Sequence, residues 1–324
     1  MVMGRLQITD VAYFATYFSE TYKPLTIVME LVRRLHCEHL PGSQLLTLID
    51  APVDAPEPPH VEPWKSTGGA IEFKNVCFSY SEAGKQRAVL QDINFKVPAG
   101  TTTAIVGKAG AGKSTLFLLI MRLYDVCSGS ITVNGTDVRQ VKATDLRQNM
   151  VLVQQGGTLF HHSLDFNIKY GSARDGFRAT SEEMSQAARR ARIHDRIVTL
   201  PKGYDTVLNE DGFDLSGGEN QRIRIARGLI HESQILLLDE TTSALDILTE
   251  REVQSELIRS TKGKTCLMIA HRLPTIIHAD QILVLDEGTI IERGSFAELM
   301  ALSDGVFRKM WQAQLREGAV DSTA

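Results

Sequence analysis

Cysteine is scarce in this chain of 324 residues: Cys37, Cys77, Cys127 and Cys266 lie far apart. No two have the spacing of a zinc or redox pair, and four scattered thiols make no secreted disulfide framework. They read as thiols in a reducing compartment. Positive charge is not in excess either. Lys and Arg number 35 against 39 Asp and Glu, a formal net charge of −4, so nucleic acid is not an expected partner. No run reaches the roughly 18 uncharged residues of an unaided membrane span. The first residues lack the basic flank, apolar core and small-residue cleavage site of a signal peptide. No repeat of 20–50 residues and no long heptad stretch is visible, which excludes a solenoid or an extended coiled coil.

What is present reads as globular: 43% hydrophobic and 23% charged residues, enough chain for one large domain or two modest ones. Residues 1–50 form one unit. Val11–Ser19 and Leu25–Met29 are apolar, interrupted by Asp10, Glu20, Lys23 and Glu30, and Pro24 is expected to kink any helix there. Residues 51–69 carry Pro52, Pro56, Pro58, Pro59 and Pro63, then Gly68 and Gly69. That composition predicts an extended linker and a domain boundary.

From Ala70 the pattern changes. Ile71–Val76 and Ile93–Val97 alternate like strands, and Ile131–Val133 precedes the turn Asn134-Gly135. Continuous apolar runs at Thr103–Val106, Val151–Val153, Ile235–Leu238, Cys266–Ala270 and Ile282–Leu285 read as buried strands. Helical stretches over Leu116–Leu123, Ser181–Arg192, Glu219–Ile230 and Glu250–Ser260 separate several of them. This alternation predicts an α/β fold with a parallel sheet covered on both faces.

Three segments carry chemistry. Gly107, Lys108, Ala109, Gly110, Ala111, Gly112, Lys113, Ser114 and Thr115 form a G-x-x-x-x-G-K-S phosphate-binding loop between a buried strand and a helix. Gly110 and Gly112 let the backbone curl close to phosphates. Lys113 places a positive charge on the β and γ oxygens, and the Ser114 hydroxyl suits Mg²⁺. Next, Ile235–Leu238 leads into Asp239 and Glu240, at the strand end where ligands bind in open α/β sheets. By themselves two acids there could be a solvated strand end. Downstream of the phosphate loop, Asp239 is expected to hold Mg²⁺ and Glu240 to polarise the attacking water. Third, Leu215-Ser216-Gly217-Gly218-Glu219 opens an amphipathic helix. From the residues alone it reads first as a capped helix, with Ser216 at the N-cap and two glycines that permit close approach to an anion.

In this order the segments resemble the ATP-binding cassette (ABC) domain, whose signature matches Leu215–Glu219. Phe78-Ser79-Tyr80 resembles the family's adenine-stacking loop, and Val153-Gln154-Gln155 its Gln loop. Ser243–Asp246 resembles the D-loop, and Ile269-Ala270-His271-Arg272 the switch-His loop. His194-Asp195 and Leu200–Val207 are similar to exporter-type cassettes. Gly4–Leu25 is similar to the last of six membrane helices in such exporters. Glu219, Arg196 and Ile197 point to the heavy-metal-tolerance and mitochondrial half-transporter group.

The resemblance implies a P-loop NTPase cassette for residues 70–314, with a RecA-like parallel core sheet, an antiparallel β subdomain and an α-helical signature subdomain. It implies that 1–50 is the remnant of the last membrane helix with its cytosolic extension, and 315–324 is expected as a disordered tail. The cofactors it implies are ATP and Mg²⁺, the metal held by Ser114, Gln155 and Asp239. Tyr80 would stack on adenine. Glu240, His271 and Gln155 would carry the chemistry, Asp246 would serve the D-loop, and Ser216, Gly217, Gly218 and Glu219 would reach the nucleotide of a second cassette. The partners it implies are that cassette, a transmembrane domain and a membrane with the ATPase on its cytosolic or matrix side. The alternative is a truncated or free-standing ABC ATPase without transport of its own. Some positions depart from the family. Asn220 and Arg224 replace residues that are commonly basic or Gln, and Ala. Gly228 stands where Ala is usual, and Asn209–Gly212 where the family has Gly-Glu-Arg-Gly.

Overall fold

The computed structural model describes residues 8–49, 55–57, 61–64, 68–82, 85–154, 156–175, 179–208, 215–231, 233–239, 247–270 and 276–321. Two compact units divide the chain at Val53/Asp54. The first holds one helix, α1 (Ile8–Ile49), of 42 residues. Pro24 does not end it. A proline removes one ladder hydrogen bond, yet the helix runs on through it, with Lys23 paired to Glu20 at 2.7 Å and Thr26 Oγ1 donating to the Lys23 carbonyl in the adjacent turns. Tyr13, Phe14, Tyr17 and Phe18 are exposed along it. No described helix is long and apolar enough to cross a membrane.

The second unit begins with the hairpin β1 (Ile71–Glu82) and β2 (Lys85–Val97), then β3 (Thr102–Gly107), α2 (Lys113–Ile120), β4 (Ser128–Val133), β5 (Thr136–Asp137), α3 (Ala143–Gln148) and β6 (Met150–Val153). Short helices follow: α4 (Leu164–Lys169), α5 (Ser181–Arg190), α6 (His194–Val198) and α7 (Gly217–Leu229). The chain then returns to strand with β7 (Ile235–Asp239), α8 (Ile247–Thr261), β8 (Thr265–Ile269), β9 (Gln281–Asp286) and β10 (Thr289–Gly294). It ends with α9 (Phe296–Ala301) and α10 (Val306–Asp321).

Two sheets result. The antiparallel one runs β2-β1-β4-β5, and the larger runs β10-β9-β3-β8-β7-β6. In the larger sheet β9, β3, β8, β7 and β6 are parallel, and β10 returns antiparallel to β9. Successive residues of its strands face opposite ways, so each serves two cores. Ala104, Val106, Leu236, Leu238 and Met268 pack with Ile223, Ala226 and Val253 on the helical side. Ile105, Leu237, Leu267 and Ile269 pack with Phe117 and Ile120 of α2 and with Phe73, Ile93 and Phe95 of the antiparallel sheet. Phe73 and Phe95 are register partners whose rings stack at 4.4 Å. The expected α/β architecture is present: parallel core, antiparallel sheet and helical layer.

Some element ends differ from expectation. α2 stops at Ile120 instead of Leu123 because Arg122 adopts φ 51, which an α-helix does not accommodate. α10 continues to Asp321 through the segment expected as a disordered tail. It is anchored at its start, where Phe307 and Trp311 pack on Phe296, and its later residues include the helix formers Ala313, Gln314, Leu315 and Arg316. The described parts of the linker lie on the cassette. The Pro56 carbonyl accepts from Arg122 Nη2 at 2.5 Å, Glu62 N donates to the Gln140 carbonyl at 2.8 Å, and Trp64 packs on the core.

Candidate functional site

β3 is buried from Thr103 onward and sits between β9 and β8. Its last residue, Gly107, runs so close to β9 that a Cβ would lie 2.1 Å from the Leu285 carbonyl oxygen. The turn then passes to Gly112, the N-cap of α2, at φ 97, with Leu90 Cδ2 only 2.7 Å from where its Cβ would stand. Both glycines are therefore required by space or conformation. Lys113 is 7% exposed. Its Nζ donates to the Gly107 and Lys108 carbonyls, each at 2.8 Å, so the ammonium is held inside the curve of the loop. The Ser114 side chain is exposed and Thr115 buried.

Tyr80 closes one wall. Its ring meets Phe78 and Tyr124 edge-on at 4.8 and 5.3 Å, and its hydroxyl lies 3.2 Å from Thr115 Oγ1. A cavity of about 380 Å³ is bounded by Tyr80, Arg87, Val89 and the loop from Ala109 to Thr115. Sequence reasoning missed Arg87, which the hairpin register sets opposite Tyr80. It also missed Tyr124, which braces the Tyr80 ring. No local signal marks either, since both depend on pairing across the fold. Lys108 forms an exposed ion pair with Asp286 at 3.5 Å.

Asp239 ends β7, half-buried, with Ile269 of β8 as its register partner. The parallel pairings bring the ends of β6, β7, β8 and β3 to one edge of the sheet. Gln155, Glu240, Asp246 and His271 lie outside the described residues. A hard-oxygen set of the Ser114 hydroxyl and Asp239 carboxylate is the kind that Mg²⁺ takes.

The segment at 216–219 lies on a different element, the start of α7. Ser216 caps it: Ser216 Oγ accepts from Glu219 N at 3.2 Å, and Glu219 Oε2 accepts from Ser216 N at 2.8 Å. Arg196 Nε donates to Glu219 Oε1 at 2.7 Å. Burial opposes the Glu219 charge, but the Ser216 amide, Arg196 and the Ser216 hydroxyl outweigh it and hold the carboxyl below its usual range. Gly217 and Gly218 follow in the first turn, Gly217 with no atom within 4 Å of a would-be Cβ.

A lysine cradled by loop carbonyls, at the end of the central strand of a parallel sheet, defines a P-loop nucleoside-triphosphate-binding protein. Residues 90–243 match the family model "ABC transporter". Over 96% of its length the chain is 40% identical to ATP-binding cassette sub-family B member 6 of Rattus norvegicus. It is 39% identical, over 99% of its length, to an ATM1-type heavy metal exporter of Novosphingobium aromaticivorans. The solved structure of a bacterial Atm1-family ABC exporter with ATP bound superposes with a TM-score of 0.77 at 38% identity, covering 96% of this chain. The chain carries an ABC transporter domain and is similar over nearly its whole length to these proteins. It spans 36% and 52% of the two curated relatives and 54% of the solved chain.

Proposed function

We propose that this chain binds Mg-ATP at the 107–115 loop and, as one half of a cassette pair, hydrolyses it to drive export across a membrane. The observation that carries this reading is the Lys113 ammonium held within the loop at the end of β3, on the sheet edge where Asp239 also ends its strand. A triphosphate placed there would draw the ammonium from the Gly107 and Lys108 carbonyls to its own oxygens, a stronger charge-assisted contact. Loop amides at the start of α2 would bind the same anion. Mg²⁺, on Ser114, Asp239 and Gln155, would supply neutralising charge to the β and γ phosphates. Tyr80 would carry the adenine.

Glu240 would take a proton from water as its oxygen attacks the γ phosphorus, with the bridging oxygen leaving on ADP. His271 would hydrogen-bond the departing phosphoryl group. Within one chain Ser216–Glu219 begins a different element from this loop, which supports their acting on the nucleotide of a neighbouring cassette. α1, with its exposed aromatic residues, would continue into the membrane part of the exporter. Lys113→Ala should abolish ATP binding and turnover, read by equilibrium nucleotide titration; unchanged affinity would refute the loop assignment.

A further inference from the structure

Beyond its N-cap, α7 grips the segment that leaves β6. Arg224 Nη1 donates to the Gly157 carbonyl at 2.6 Å. One turn on, Arg227 donates to the Asn167 carbonyl and to Asn167 Oδ1, both at 2.8 Å, and lies over the Phe160 ring at 5.2 Å. Asn167 is fully buried and fastens the same segment, accepting from Phe160 N and donating to the Phe160 and Ser163 carbonyls. Between the two arginines and β6, Gly228 leaves no room for a Cβ: Val153 Cγ2 would stand 2.5 Å away. Two half-buried guanidiniums sharing one helix face repel each other and lose hydration.

We propose that Arg224 is a positioning residue that locks the 156–160 segment to the signature helix. The strand exit serving a cassette's own nucleotide and the helix serving its neighbour's then move as one body. This rests on the composite site proposed above. Rigid transfer follows from the geometry: Ser216 caps the 13-residue helix that carries Arg224, and the Gly157 carbonyl is tied to that helix by a short charged hydrogen bond.

The test uses mixed dimers of the full chain in which one copy carries Lys113→Ala. Only one composite site then turns over, with the loop from the intact copy and Ser216–Glu219 from the altered one. Arg224→Ala placed in either copy should lower kcat about tenfold while the KM for ATP moves less than about twofold. Arg224→Lys, which keeps the charge and the apolar stem, should recover part of the rate and shows that the loss is not misfolding. A loss seen only when the substitution is in the intact copy would reduce Arg224 to a local brace and overturn the proposal, as would a change confined to KM. The composite site has its own signature: Ser216→Arg in the Lys113→Ala copy should stop turnover. A rate insensitive to it would remove that reading first.

Discussion

At residue scale, Gly228 shows how a local rule is overridden by packing. Helix propensity favours alanine there by about 1 kcal/mol, yet Val153, on a buried strand, already occupies the space of its side chain. Overpacking by one methyl costs about 1–3 kcal/mol. Gly228→Ala should therefore lower unfolding stability by roughly 1 kcal/mol net, measured as a shifted urea midpoint, and adding Val153→Ala should restore part of it. A stabilised single variant would contradict the packing account. The phosphate loop was legible in the sequence because its chemistry dictates both residue types and spacing from Gly107 to Ser114. The contacts of Arg224 and Tyr124 were not, because each reaches a residue distant in sequence, 44 positions away for Tyr124 and Tyr80 and 67 for Arg224 and Gly157; Arg87 reaches the site through the hairpin register that sets it opposite Tyr80.

At the scale of elements, the start of α7 was read from Ser216 as its N-cap, whereas α2 starts at Lys113, three residues before the apolar stretch that suggested it. Capping boxes at Thr180–Glu183, Ser216–Glu219 and Ser295–Glu298 form as that spacing requires. Helix ends depend instead on backbone conformations such as that of Arg122, which no residue type announces. The box of α7 has a pH dependence. Its Glu219 carboxyl is held below the ordinary value of 4.5, so the folded state binds the proton more weakly than the unfolded one. Its contribution is complete above about pH 4.5 and is lost as pH falls through the lower folded value. Glu219→Gln keeps an acceptor for the Ser216 amide but loses the charge. The difference in urea midpoint between the two proteins should be full at pH 7 and shrink below about pH 4.5; a constant gap would exclude the charge as its source.

For the whole molecule, the apolar runs foretold a parallel sheet but not its order. Thr103–Val106 and Ile282–Leu285 look alike as sequence, and only pairing across 178 positions makes them neighbours. That order places β3 centrally and gathers the strand ends at one edge. Glu240→Gln, which removes the proposed base and leaves the phosphate-binding loop intact, should keep ATP binding and halt turnover. An ATP-dependent dimer should then accumulate in sedimentation or light scattering. Turnover at the parent rate would remove Glu240 as base.

Arg122 makes the proline-rich stretch more than a tether. Its side chain is 2% exposed and is shared among the Pro56 and Val141 carbonyls and Asp125. A protein cut to start at Ala70 would leave one donor of a buried guanidinium without its acceptor and strip Trp64 from the core surface. Such an excised cassette should melt earlier than one beginning at Asp54, by about 1–3 kcal/mol of unfolding free energy. Equal melting of the two would mean that the proline-rich strip is ornament rather than masonry.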